Sequence, residues 1–210
     1  MKKIYTIGYS AFKIEKFIAI LKQLKVTCVV DVRSIPYSQY FKTYDKEMLS
    51  KILSNKRIFY KSFSDEFGAK QTDRRYFASE GYLDFSKYVK SIKFETGYQH
   101  IITEINSGQS FCLMCAEADP IDCHRSIMIG RRFYSRGFEV IHVMNAGEIQ
   151  TQQELEERLL DKYFKCRNQL SLFEDNYDKN KLIEESYELK NKEIGYRLII
   201  ENNKSKQKEQ

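Results

Sequence analysis

Residues 111–126, reading FCLMCAEADPIDCHRS, constrain this chain more than any other stretch. An apolar run ends at Cys115, and a polar loop with one of the chain's 2 prolines follows. Cys123-His124-Arg125-Ser126 then opens what reads as a helix over residues 126–135. The helix stops at Gly137, and a second apolar run covers 139–144. Strand, loop, helix, strand in this order gathers reactive side chains in a loop at the carboxyl end of a strand. In open α/β sheets that is where ligands bind. A helix amino terminus adds unpaired N–H groups and a partial positive charge, which suit an anion or a thiolate.

The same alternation runs through the rest of the chain. Residues 4–7 read as a short strand. Ser10 is placed to cap a helix bearing Phe12, Phe17, Ile18, Ile20, Leu21 and Leu24 on one face. Residues 26–32 form a near-continuous β-branched run, the mark of a buried parallel strand, and complete a βαβ unit. A helix over 46–54 and a strand over 58–63 follow. Residues 64–82 read as irregular, and helices are expected over 83–92 and 97–106. The fold class expected is α/β, a mostly parallel sheet flanked by helices, with a helical C-terminal tail. The α/β domain is placed at residues 1–147 and the tail at 148–210. Helices are expected over 152–164 and about 179–192, and disorder over the last ten residues.

Several motifs carry a family resemblance. Thr6-Ile-Gly8-Tyr9-Ser10, Asp31-Val-Arg33-Ser34, Cys115-Ala-Glu117 and, after a proline, Cys123-His124-Arg125 stand in one order. They resemble the family catalogued as domain of unknown function 488, over roughly residues 4–147. Where that family often has Leu-Gly-Gly, this chain has Phe67-Gly68-Ala69. The family's description supplies no reaction, so the chemistry rests on the residues. If the strands ending at Asp31 and Cys115 are neighbours, Asp31, Arg33, Cys115 and Glu117 meet at one sheet edge. Cys123, His124 and Arg125 would then face the same cleft. Asp31 and Arg33 could equally be a structural ion pair.

A cysteine after a strand, with Arg-Ser at the next helix start, also resembles the active loop of rhodaneses and cysteine phosphatases. However, nine residues separate Cys115 from Arg125, and Glu117, Asp119 and Asp122 occupy the loop. Acids there raise a thiol pKa and repel an anionic substrate. Cys115, Cys123 and His124 could instead hold a metal ion, although their spacing matches no structural zinc motif. His124 suits general acid–base work, with Glu117 or Asp31 as its orienter. Arg33, Arg125 and Ser126 suit an anion. Cys115 as a small core residue, and His124 as a cap, remain open alternatives.

Charge and a short peptide point to a partner. Residues 151–210 hold 12 Lys and Arg against 13 Asp and Glu. Of totals of 35 and 29, the first 150 residues therefore hold 23 and 16, a net +7. A basic domain fits a phosphate-bearing partner, with Lys42, Lys70, Arg74 and Arg75 as its contacts, and Tyr37, Tyr40 and Tyr44 could stack on bases or equally cover the sheet edge. Gln169-Leu170-Ser171-Leu172-Phe173 resembles the pentapeptide by which bacterial DNA polymerases and repair proteins dock on the replication sliding clamp. No apolar stretch reaches membrane-spanning length, and 5 cysteines without a signal-like start argue for reduced thiols in the cytoplasm. The expectation is a cytosolic bacterial protein of DNA maintenance or repair, an enzyme tethered to the clamp. A rhodanese-like sulfurtransferase using Cys115, or a non-catalytic clamp-binding adaptor, would share these features.

Overall fold

A computed structural model describes residues 2–165 and 178–198. The peptide 169–173, with Gln169, Leu170, Leu172 and Phe173, lies outside the described residues, as do the last ten. The described elements are β1 (Lys3–Gly8), α1 (Ile14–Gln23), β2 (Cys28–Asp31), α2 (Lys46–Ser54), β3 (Phe59–Ser62), α3 (Ser64–Phe67), α4 (Phe85–Tyr88), α5 (Ile92–Asn106), β4 (Phe111–Cys115), a π-helix (Arg125–Gly130) running into α6 (Arg131–Tyr134), β5 (Glu139–Val143), β6 (Ile149–Thr151), α7 (Gln152–Tyr163) and α8 (Lys179–Ile194). The six strands form one sheet in the order β3-β2-β4-β1-β5-β6. All pairs are parallel except β5 with β6.

Strand alternation divides the core between the two faces. Phe111, Leu113 and Cys115 of β4 point to one face, with Cys28 and Val30 of β2. Phe94, Tyr98 and Ile101 of α5, the π-helix and α6 cover them there. Cys112, Met114 and Val29 point to the other face, against Phe17 and Leu21 of α1 and Leu49 and Leu53 of α2. The chain leaving β1 therefore turns to one face and the chain leaving β4 to the other. β1 and β4 are neighbours, so their carboxyl ends flank a topological switch point, where an open α/β sheet has its crevice.

Several element boundaries differ from the sequence reading. Ser10 lies in a short 3-10 turn, and α1 starts after Lys13 without a side-chain cap. The turn carries Tyr9 into the core, so Phe12 packs before the helix begins. The two helices expected over 83–106 become short α4 and long α5, which Ser91 caps by accepting from the Phe94 N–H at 3.1 Å. The helix expected over 126–135 opens as a π-helix.

The elements after residue 147 pack on the sheet. Thr151 and Glu154 make a reciprocal capping box at the start of α7. Leu155, Leu159 and Tyr187 belong to the same apolar cluster as α5 and β4. A buried polar chain ties these helices to β1 and β5. The Thr6 hydroxyl meets His142 Nδ1 at 2.8 Å, His142 Nε2 meets Gln152 Oε1 at 3.0 Å, and the Gln152 amide donates to the Tyr187 hydroxyl at 2.7 Å. Gln152 Oε1 can only accept, so His142 carries its proton on Nε2 and is neutral.

Two outcomes follow from this packing. Leu155 is fully buried, so Leu155→Ala should cost about 2–5 kcal/mol. Denaturant unfolding should remain one transition, and loss of a minor transition alone would show α7 to be separate from the core. Burial, and then Arg125 nearby, depress the His142 pKa from 6.5 to about 3. The unfolded chain thus binds the extra proton first, and stability is lost as pH falls from 6.5 toward 3. At about 1.4 kcal/mol per unit the loss reaches several kcal/mol. Unfolding free energies of the wild type and His142→Gln between pH 7 and 4 should converge as pH falls, whereas parallel curves would contradict the assignment.

Candidate functional site

The site grows from the end of β4. The strand's alternation turns Cys115 toward the π-helix face, and Ala116 to Asp122 then loop across the crevice. Two contacts force this loop close to β1. The Ser10 N–H donates to the Ala116 carbonyl at 3.2 Å. Gly8 leaves room where any Cβ would sit 1.8 Å from the Glu117 carbonyl oxygen. Arg125 is fully buried, and its Nη1 and Nη2 donate to the Glu117 and Ala118 carbonyls at 2.6 and 3.2 Å. Ser126 donates to the Pro120 and Cys123 carbonyls. The chain thus doubles back and brings Cys123 and His124 beside Cys115.

Four polar groups meet there. Glu117 Oε2 lies 3.0 Å from Cys115 Sγ and 2.9 Å from Cys123 Sγ. His124 Nδ1 lies 3.9 Å from each sulfur. His124 Nε2 lies 3.0 Å from the Val32 carbonyl, which can only accept, so Nε2 carries a proton and Nδ1 faces the sulfurs. Val32, not Glu117 or Asp31, orients the ring. The Arg125 N–H points at Cys123 Sγ at 3.5 Å.

The two thiols are driven apart. The hydrogen bond with Cys123, burial and the charge of Glu117 push the Cys115 thiol well above its ordinary value. Burial opposes ionisation of Cys123, yet the Cys115 hydrogen bond, Arg125 and His124 outweigh it and hold that thiol well below its ordinary value. Desolvation, followed by Cys123, raises the Glu117 carboxyl. Glu117 also presents surface to solvent at the cleft mouth, and screening there limits the rise.

β2 lies beside β4 in parallel, so the Asp31 end reaches the same edge. Asp31 is fully buried and accepts from Arg33 Nε at 2.9 Å, from Nη2 at 2.5 Å and from the Tyr60 hydroxyl at 2.7 Å. Arg33 Nη2 also donates to the Tyr44 carbonyl at 2.8 Å. These contacts fix the guanidinium with the Tyr9 ring 5.0 Å away. Its Nη1 has no hydrogen-bond partner among the described residues, although Arg33 is only 5% exposed. A cleft of about 350 Å³ joins Tyr9, Arg33, Ser34 and Lys70 to Cys115, Glu117 and His124.

The family model for the domain of unknown function DUF488 matches residues 13–131, more than half of the chain. The chain belongs to the DUF488 family. The match spans Asp31, Arg33 and the loop from Cys115 to Arg125, and begins after the Thr6–Ser10 segment. No curated protein and no solved structure matches the chain.

In this DUF488 protein the other expected residues do not all gather at the cleft. Arg125 and Ser126, expected to hold an anion, give Nη1, Nη2 and the hydroxyl to loop carbonyls, and the buried Arg125 Nε has no hydrogen-bond partner among the described residues. Lys70 lines the cleft. Arg74 lines a separate hollow with Phe77 and Leu198. Arg75 forks onto Asp73, and Lys42 lies 3.8 Å from Asp45. Tyr37 and Tyr40 are exposed. Tyr44 is buried, donating to the Phe12 carbonyl at 2.9 Å, and cannot stack on a base.

Sequence reading gave no role to Tyr60, to the Val32 carbonyl or to the partners of the loop's acids. Arg158 of α7 forks onto Asp119, with Nη2 at 2.6 Å, and Lys190 of α8 meets Asp122 at 2.5 Å. Two of the three acids are thereby neutralised and drawn away from the thiols. The unmatched positive charge at residues 158 and 190 was visible in sequence, but its partners lie across long separations. Since Gly8 and the Glu117 carbonyl are in contact, Gly8→Ala should destabilise the protein by about 2–4 kcal/mol. It should also raise the rate of thiol alkylation at Cys115 and Cys123. Unchanged stability and alkylation would show that the loop is not held by this contact.

Proposed function

We propose that this DUF488 protein is an enzyme of DNA maintenance whose reaction centre is the Cys115, Glu117, Cys123 and His124 cluster. One observation carries the enzymatic part of the reading. A rigidly held guanidinium, Arg33, whose buried Nη1 has no hydrogen-bond partner among the described residues, lines the same cleft as Cys115, and the Cys115 and Cys123 thiols have opposite protonation tendencies. Perturbed titratable groups beside a fixed guanidinium in one cleft are a pattern that reaction centres use. Arg33, aided by Lys70, holds an anionic group of the substrate. Cys123 is the thiolate of the pair, and Glu117 at the cleft mouth moves a proton. Asp31 acts by locking Arg33. The raised Cys115 thiol disfavours a sulfurtransferase built on that residue.

The nucleic-acid part rests on the net +7 of the first 150 residues, on exposed Tyr37 and Tyr40 near the cleft, and on the clamp-binding-like peptide 169–173. Phosphate groups are the anions that a basic surface meets on DNA. The test is DNA binding as a function of salt, together with titration against a bacterial sliding clamp. Wild type should bind DNA with affinity falling steeply as salt rises, and Lys70→Ala should reduce the salt slope by about 1. Arg33→Gln should weaken binding about tenfold, the effect of one lost charge-assisted contact. Gln169→Ala with Phe173→Ala should abolish clamp binding and leave DNA binding intact. Absence of DNA binding at low salt would refute the substrate class, and clamp binding by the double variant would refute the docking peptide.

A further inference from the structure

The donor atoms of the cluster are arranged as one ion would arrange them. Cys115 Sγ, Cys123 Sγ, His124 Nδ1 and a Glu117 carboxylate oxygen all lie within 4.8 Å of one another. With zinc–sulfur bonds of about 2.3 Å and zinc–nitrogen or –oxygen bonds of about 2.0 Å, tetrahedral ligands sit about 3.5–3.8 Å apart. The sulfur–nitrogen separations here are 3.9 Å and the sulfur–oxygen separations 2.9–3.0 Å. Turning Glu117 out by about half an ångström, with smaller shifts of His124, would set the four donors around a common centre.

Three further observations point the same way. The Val32 carbonyl accepts the Nε2 hydrogen bond of His124 and so aims Nδ1 at the sulfurs, as the outer hydrogen bond of a metal-bound imidazole does. The Arg125 N–H on Cys123 Sγ is the outer contact that a ligating thiolate receives. Cys115, Cys123 and His124 are buried at 3, 1 and 8% exposure, whereas Glu117 stands at the open mouth of the cleft. Two sulfurs and an imidazole select a soft or borderline ion and disfavour calcium or magnesium, which take oxygen.

We propose that Cys115, Cys123 and His124 are fixed ligands of a zinc ion and that Glu117 is its fourth, exchangeable ligand. Cys-His adjacency does not prevent this, because the backbone turns at His124 into the π-helix and both side chains face Cys115. The inference deepens the function proposed above and rests on the same cleft being the working site. Movement of Glu117 would open one coordination position toward the cleft that Arg33 also lines, where a bound anion would meet the metal.

The experiment is metal analysis of the full-length protein purified under reducing conditions, followed by cobalt(II) titration of the chelator-stripped protein. Wild type should carry about one zinc per chain, as one four-donor site requires. On adding cobalt it should show thiolate-to-cobalt charge-transfer absorption and tetrahedral ligand-field bands that saturate at one equivalent. Cys123→Ser and His124→Ala should weaken cobalt binding by at least about tenfold. Glu117→Gln should keep the metal and shift the ligand-field bands. Cys112→Ser, on the opposite face of β4, should leave both readouts unchanged.

Sub-stoichiometric zinc together with no cobalt absorption in the wild type would overturn the site. So would a Cys115–Cys123 disulfide in the metal-free protein that forms with no change in cobalt affinity. Either result would leave the DNA and Arg33 measurements standing on their own. Conversely, bound zinc without DNA binding would remove the nucleic-acid reading and retain the metal site.

Discussion

Arg125 is the contact on which the site depends. Its guanidinium lies wholly inside the protein and holds the Glu117 and Ala118 carbonyls, so the loop after β4 cannot lift away from the sheet. A buried cation costs several kcal/mol unless its surroundings compensate it. Asp119 pairs with Arg158 and Asp122 with Lys190, and among the described residues no carboxylate forms an ion pair with Arg125. The compensation comes from carbonyl dipoles and from Cys123, whose thiolate Arg125 favours. The residue that folds the loop thus also sets the chemistry of the thiol two positions before it.

The helices after the sheet take part in this arrangement. α7 and α8 bury Leu155, Leu159 and Tyr187 against the core and send Arg158 and Lys190 to the acids of the loop. Lys190 itself is almost fully buried, because its stem packs while its ammonium group reaches Asp122 and Glu193. Withdrawing two acids leaves Glu117 as the one loop carboxylate hydrogen-bonded to the thiols. The net charge of the C-terminal segment is nearly balanced in sequence, yet its individual charges act on a loop some forty to seventy positions away.

The π-helix at residues 125–130 has a local reason. The chain must place Cys123 and His124 against Cys115 and at once bury Ile127, Met128 and Ile129 under α5 and α7. A wider turn lets the Arg125 side chain pass back under the loop while the apolar residues stay in register with the core. Insertions of this kind recur where helices carry functional groups. On the neighbouring strand, Asp31 does for Arg33 what the loop carbonyls do for Arg125: it fixes a guanidinium. The difference is that Arg33 lines the cleft.

Much was legible in the sequence. Continuous apolar and β-branched runs marked the strands, because burial on both sheet faces leaves little choice of residue. The order of strands and helices implied a parallel α/β sheet, and the residues of the candidate site were visible as Asp31, Arg33, Cys115, Glu117, Cys123 and His124. Which strands are neighbours, and that β6 adds an antiparallel edge, came only with the fold. The separate duties of Arg33 and Arg125 also came only then. Both are arginines after a strand or at a helix start, and sequence offers no means of knowing which one pairs with a carboxylate and which one meets loop carbonyls. Glu117 as the fourth member of the donor cluster was hidden for the same reason. Spacing along the chain does not measure distance once a loop is folded back on itself, and the contacts that fold it, from Gly8, Val32, Arg158 and Lys190, come from elements far away in sequence.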